Sequence, residues 1–234
     1  PAPAAPSGLA VSSATSSQVN LSWTDNADNE NTQSIERLAG FPDASPAYQV
    51  PDRSSSLNHG YLVGSPSWTS ESPGGYYAFA SNGNYLRIND ASSLSVTSGG
   101  FSLATWVRPT TAANFRVAAK ATQEGSLEWL LTYTATGQIQ FRVWDAIQTK
   151  WIDIKSTGTF LGDTGTWTCL AATYDGTGAA GLKLYRNGVL LAGTVTSSGT
   201  FVSIKDTSAD LTLGVYLRDW SGATSYGLGS FDAF

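Results

Sequence analysis

Few residues in this chain are able to do acid–base or nucleophilic chemistry. It has one histidine, His59, and one cysteine, Cys169. A single imidazole builds neither a Ser-His-Asp triad nor a histidine-based zinc site. A single thiol closes no intrachain disulfide. Cys169 lies in Trp167-Thr168-Cys169-Leu170-Ala171, an apolar strand that reads as burying an inert thiol. Sugar hydrolysis needs two facing carboxyl groups. Glu124 and Glu128 share one face at period two, and Asp28 and Glu30 sit in the polar loop 24–31. Both glutamates read as structural or solvent-facing, so no catalytic residue is assigned. No Gly-x-Ser-x-Gly elbow occurs, and no glycine loop precedes a helix to cradle phosphate.

Binding chemistry is better furnished. Successive side chains of a strand point to opposite faces. In 138–144, Ile139, Phe141 and Val143 make an apolar face, so Gln140, Arg142 and Trp144 point the other way. In 151–155, Ile152 and Ile154 face inward, and Trp151, Asp153 and Lys155 face outward. Flat rings suit the C–H face of a sugar, and planar amide, guanidinium and carboxylate groups suit its hydroxyls. Gln140, Arg142, Trp144, Trp151 and Asp153 are therefore candidate ligand contacts. The alternative is that the two rings cover a sheet edge or pack on another domain. Trp106 and Trp167 are assigned to core packing, and Trp23 to the core of an N-terminal unit.

These side chains need strands to hold them. Many short apolar runs with period two follow one another from 77–79 and 85–88 through 101–109, 127–133, 138–144, 151–155, 166–174, 182–185 and 211–214 to the closing 229–234. Gly137 and Asn187-Gly188 mark turns, and Ser81-Asn82-Gly83-Asn84 reads as a hairpin turn. Regular spacing without a helical period means a sandwich or barrel. Charged residues are only 13%, the net charge is −5 and no basic cluster occurs, which argues against nucleic acid and anionic membrane as partners. No apolar run approaches the roughly 20 residues that span a bilayer. Pro1-Ala2-Pro3-Ala4-Ala5-Pro6 reads as an interdomain linker, and no signal-peptide pattern follows it.

Two resemblances organise the chain. The stretch Pro6-Ser7-Gly8-Leu9-Ala10-Val11, then Leu21-Ser22-Trp23-Thr24-Asp25, then Ile35-Glu36-Arg37, resembles the first three strands of a bacterial fibronectin type III module. The later strands do not follow, so residues 7–38 are expected to dock on the next domain as captured strands. The segments 100–109, 166–176 and Leu182-Lys183-Leu184-Tyr185-Arg186-Asn187-Gly188 resemble the signature strands of bacterial laminin G-like, concanavalin A-like domains. Asn58-His59-Gly60, 81–85 and 211–214 are similar to the same family, which gives His59 a structural role. The resemblance implies an all-β fold: an antiparallel two-sheet jelly-roll sandwich over 41–234, with extra N-terminal strands in 1–40.

The family hosts lectins, adhesion modules and glycosidases. Its β-glucan-cleaving members place acids two apart on one strand, a pattern this chain lacks outside Asp28 and Glu30. The segments 81–84 and 214–222 resemble those that pentraxin-type relatives use for calcium and ligand, although pentraxins carry more acids there. On that resemblance Asn82, Asn84 and Asp219 are candidate ligands of a structural calcium, with Asp43, Asp52 and Asp232 as secondary candidates. Tyr216, Arg218 and Trp220 are candidate ligand contacts without metal; the alternative is an ordinary exposed loop. The leading expectation is a non-catalytic module of a secreted, extracellular multidomain bacterial protein that binds a neutral polysaccharide. The rivals are a protein–protein adhesion or spacer module, and a glycoside hydrolase or lyase.

Overall fold

The computed structural model describes residues 7–14, 19–24, 26, 49–71, 74–121, 126–146, 150–217 and 225–232. The chain divides into two compact units, Pro1–Ala39 and Gly40–Phe234. In the first, β1 (Ser7–Ala14) and β2 (Val19–Thr24) pair antiparallel from Ser7 opposite Thr24 to Ala14 opposite Val19. The third expected strand at 33–37 and the side chain of Trp23 lie outside the described residues.

The second unit opens with β3 (Gln49–Val50), β4 (Gly60–Val63), β5 (Ser67–Glu71), β6 (Gly74–Phe79) and β7 (Tyr85–Ile88). Next come β8 (Phe101–Pro109), β9 (Arg116–Ala121), β10 (Leu127–Tyr133), β11 (Ile139–Trp144) and β12 (Trp151–Ser156). The chain continues through β13 (Thr168–Tyr174), β14 (Leu182–Arg186), β15 (Val189–Leu190) and β16 (Gly193–Ser197). It finishes with β17 (Leu211–Leu213), β18 (Val215–Tyr216), β19 (Ser225–Tyr226) and β20 (Gly229–Asp232). Among the described residues the only helical turns are three short 3-10 turns, and no helix is long and apolar enough to cross a membrane.

Two large antiparallel sheets form a jelly-roll sandwich. One has nine strands in the order β16-β12-β11-β10-β9-β17-β7-β4-β3, the other seven in the order β15-β14-β13-β8-β20-β6-β5. Alternation decides which side chains meet between them. Phe141, Val143, Ile139, Ile152, Ile154 and Leu131 from the first sheet pack with Val107, Leu170, Leu184 and Phe231 from the second. Each such side chain left in water would cost about 1.5–3 kcal/mol, so the pattern fixes the register.

The turn at 81–84 corrects one expectation. Asn84 N–H does donate to Ser81 O at 3.1 Å, but β6 and β7 belong to different sheets. The turn is an arch between layers: Phe79 and Leu86 on either side of it are both buried in the core, from opposite sheets. Cys169 is corrected too. It is half-buried on the outer face of β13, opposite Trp106, because Thr168, Leu170, Ala172 and Tyr174 take the core face.

Candidate functional site

The outer face of the nine-stranded sheet assembles most of the predicted contacts. Strands β11 and β12 pair so that Trp144 lies opposite Trp151, Arg142 opposite Asp153, and Gln140 opposite Lys155. Asp153 is the hub. Its Oδ2 accepts from Arg142 Nε at 3.1 Å, Arg142 Nη2 at 2.6 Å and Gln140 Nε2 at 2.6 Å, and its Oδ1 accepts from Thr196 Oγ1 on β16. The carboxylate is buried and fully engaged, so it orients Arg142 and Gln140 instead of meeting a ligand. The guanidinium of Arg142 sits 3.9 Å from the ring centroid of Trp151 and 5.8 Å from that of Trp144.

The two tryptophans differ in a way that the sequence does not announce. Both leave the main core, as alternation requires, but Trp144 is only 7% exposed. It packs in a second small apolar cluster with Ala119, Ala121 and Leu130, bordered by Leu127, Trp151 and Tyr216. Its reading as an exposed sugar platform is therefore corrected, and Trp151 is the half-exposed ring. Tyr216 on β18 belongs to this same cluster. Tyr216, one member of the second candidate set, thus meets the first set on one face. Arg218 and Trp220 lie outside the described residues.

Arg116 was missed. It stands opposite Thr132, in the cross-strand row Arg116, Thr132, Gln140, Lys155, and its Nη1 donates to Thr132 Oγ1 at 2.7 Å. Burial lowers the pKa of this guanidinium. A lone arginine opening the apolar run Val117-Ala118-Ala119 was the available signal.

Several other carboxylates are held by protein donors. Glu128 is buried and accepts from Lys120 Nζ at 2.6 Å and from Thr207 N–H and Oγ1 at 2.9 and 2.7 Å; burial pushes its carboxyl up against the pull of these donors. Asp163 accepts from Arg186 and, at 2.6 Å, from Tyr133 O–H. Asp145 accepts from the Val202 and Ser203 N–H groups. Glu124 lies outside the described residues. His59 accepts from Asp52 N–H through Nδ1 at 3.0 Å, closing the loop 51–59.

At the proposed calcium site, Asn82 is exposed, while Asn84 is buried with its Oδ1 taken by Ser65 N–H at 3.1 Å. Asp219 and Asp43 lie outside the described residues. Asp52 caps its own loop, accepting from Ser54 and Asn58, and Asp232 stands on β20 opposite Tyr76. Among the described residues no cluster of three His, Cys, Asp or Glu side chains forms a metal site.

The outer face of the seven-stranded sheet carries aromatics that had been assigned to the core. Trp106 is 46% exposed, because Thr105 and Val107 beside it take the inward positions of β8. Trp167 is half-buried; it and Tyr76 lie 5.0 and 4.7 Å from the Arg108 guanidinium.

Residues 80–234 match the family model described as the concanavalin A-like lectin/glucanases superfamily. The fibronectin-like lead-in is not covered by that match. Among solved structures the chain is similar to the botulinum neurotoxin serotype G binding domain, at 15% identity and a TM-score of 0.55 over 79% of this chain and 44% of that one. It is likewise similar to the serotype D binding domain, at 14% identity and a TM-score of 0.51 over 78% and 44%. The chain thus spans less than half the length of either toxin domain. A comparison with curated proteins finds no match.

Proposed function

The chain belongs to the concanavalin A-like lectin/glucanases superfamily, and from that premise we propose that its Gly40–Phe234 unit is a non-catalytic carbohydrate-binding module of a secreted multidomain bacterial protein. One observation carries the reading: Trp151, Arg142, Gln140 and Tyr216 gather on one sheet face, with Arg142 and Gln140 fixed by the buried Asp153. Preorganised donors beside an aromatic ring cost little entropy on binding. The engaged state of Glu128, Asp145, Asp153 and Asp163 supports binding over hydrolysis, since each carboxylate already answers to a protein donor.

A neutral polysaccharide is the first substrate class. A uronic-acid polymer is the second reading, favoured by Arg116 and Lys155 at the two ends of one cross-strand row with no ion pair among the described residues. A glycan array with neutral and uronic arms tests both. Binding to proteins but to no glycan would leave the adhesion-module alternative. Reducing-sugar release would replace the reading with a hydrolase. The same proposal includes a structural calcium at the 81–84 turn, through Asn82, Asn84 and Asp219. It predicts a higher melting temperature in millimolar calcium than in EDTA, and equal midpoints would remove the ion.

A further inference from the structure

The outer face of the seven-stranded sheet holds an arginine between two rings. Tyr76 comes from β6 and Trp167 from the residue before β13, with β20 and β8 between them. Three strand spacings separate them, roughly 14 Å. Ser230 of β20, small and opposite Arg108, leaves room for both side chains to lean inward. Their ring centroids lie 5.3 Å apart at 72°. The Arg108 guanidinium sits 4.7 Å from the Tyr76 centroid and 5.0 Å from that of Trp167.

Ring contacts hold a guanidinium without neutralising it. Arg87, Arg142 and Arg186 each pair with an aspartate, and Arg108 does not. Among the described residues its one hydrogen bond runs from Nη2 to Ser230 Oγ at 3.4 Å, and no acid lies within ion-pair distance, Asp232 on the same face included. Stacking uses the faces of the guanidinium plane and leaves its in-plane N–H donors for a planar acceptor. Trp106 stands two residues before Arg108 on the same face of β8, roughly 7 Å along the strand. It is 46% exposed, and its neighbours on β13, Cys169 and Ala171, are small, so the ring stands clear of the sheet. A sugar ring lying on Trp106 therefore carries its ring substituent towards Arg108.

We propose that Trp106 and Arg108 form a second carbohydrate site, which takes a uronic-acid residue of a polysaccharide. The C–H face of the sugar stacks on the Trp106 indole, and its carboxylate accepts two N–H groups of Arg108 side by side. Trp167 and Tyr76 hold the guanidinium before the ligand arrives, so little side-chain entropy is lost on binding. The exposed indole beside the cation selects a sugar over an acidic peptide, whose carboxylate needs no ring next to it. The face that carries Trp151 lies on the opposite side of the sandwich, so this site stands or falls independently of it.

The test titrates trigalacturonate into the whole chain and follows side-chain N–H signals by NMR. The Trp106 and Trp167 indole signals and the Arg108 Nε–H should shift together. Fully methyl-esterified trigalacturonate keeps the rings and loses the charge; it should bind about tenfold more weakly or worse. Arg108→Gln and Trp106→Ala should each weaken the free acid about tenfold, while Trp151→Ala leaves the shifts at Trp106 unchanged. Arg108→Lys keeps the charge and loses the planar fork, so it should also bind weakly; it decides alone if Arg108→Gln does not fold. Parent affinity in the Trp106 variant or in either folded Arg108 variant, or equal binding of the ester, overturns the site. Shifts confined to Trp144, Trp151 and Arg142 overturn it by placing the uronate on the nine-stranded sheet. The same shifts produced by triglutamate at equal concentration overturn it in favour of an acidic peptide.

Discussion

Trp144 and Trp151 stand opposite each other, and burial gives them different work. Trp151→Ala should weaken glycan binding about tenfold, since a stacked ring contributes on the order of 1–1.5 kcal/mol, with the melting temperature nearly unchanged. Trp144→Ala should instead cost about 3–5 kcal/mol of stability, because it empties a packed site between Leu130, Ala119 and Ala121. Denaturant titration and glycan titration of both variants separate the roles. A Trp144→Ala variant as stable as the parent would place that ring outside the cluster. Alternation told which face each ring takes, since Val143 and Ile152 must go inward. It did not tell what lies over that face: Tyr216 is 72 residues further along than Trp144, and only the fold joins them. Trp106 shows the reverse case. Its neighbours Thr105 and Val107 alternate correctly for an outward ring, and its place in a strand resembling the family signature suggested the core.

Among the elements, β10 was legible from its long apolar run although it is buried without alternation, and its neighbour β9 was not. The strand β9 went unrecognised because three alanines and a lysine dilute its apolar run, although Val117, Ala118, Ala119, Lys120 and Ala121 are all buried, as in a central strand covered on both faces. Turns were placed correctly but not their destinations: Asn187 and Gly188, with φ of 50° and 78°, join neighbouring strands, whereas the 81–84 turn joins sheets. Loop 51–59 gives a pH prediction. The carboxyl of Asp52 is held below its ordinary 3.8 chiefly by Ser54 and then by Asn58 N–H. A depressed folded value means that its contribution is present above 3.8 and is lost as pH falls through the folded value. An NMR titration should find the Asp52 midpoint below 3.8, and Ser54→Ala, which keeps the Ser54 N–H donor and removes the hydroxyl, should move it upward; an unchanged midpoint would deny the Ser54 hydroxyl its part. Gly214 gives a steric one. Its φ is +79°, and a Cβ there would meet Phe79 Cδ2 at 2.4 Å. Gly214→Ala should therefore lower stability by about 1–3 kcal/mol in denaturant unfolding, whereas Gly83→Ala, with open space around it, should suffer from its φ alone.

For the molecule as a whole, the sandwich keeps a charge inside it. Lys120 is fully buried on β9, with its Nζ 2.6 Å from Glu128 Oε1 and 2.8 Å from Asp90 Oδ1. Trp129 and Leu211 flank it across the two neighbouring strands, so water is shut out on both sides. Taking two ions out of water costs several kcal/mol each, and mutual attraction repays this only while both partners remain. Glu128 is further committed to Thr207, which ties the connection before β17 to the start of β10. The expected role of the pair is to specify where β17 enters between β9 and β7, more than to add net stability. Glu128→Leu alone should cost about 3–5 kcal/mol, because it leaves Lys120 with Asp90, whose side chain is 31% exposed, as its remaining acid. Lys120→Met alone should cost a similar amount by stranding Glu128. The double variant Lys120→Met with Glu128→Leu should recover most of that loss, since two apolar side chains of similar volume need no partner. Guanidinium unfolding of the three variants forms a double-mutant cycle that reads the coupling directly. Additive losses in the double variant would mean that the two ions are solvated separately, and that the strand order around β17 is held by the apolar core without them.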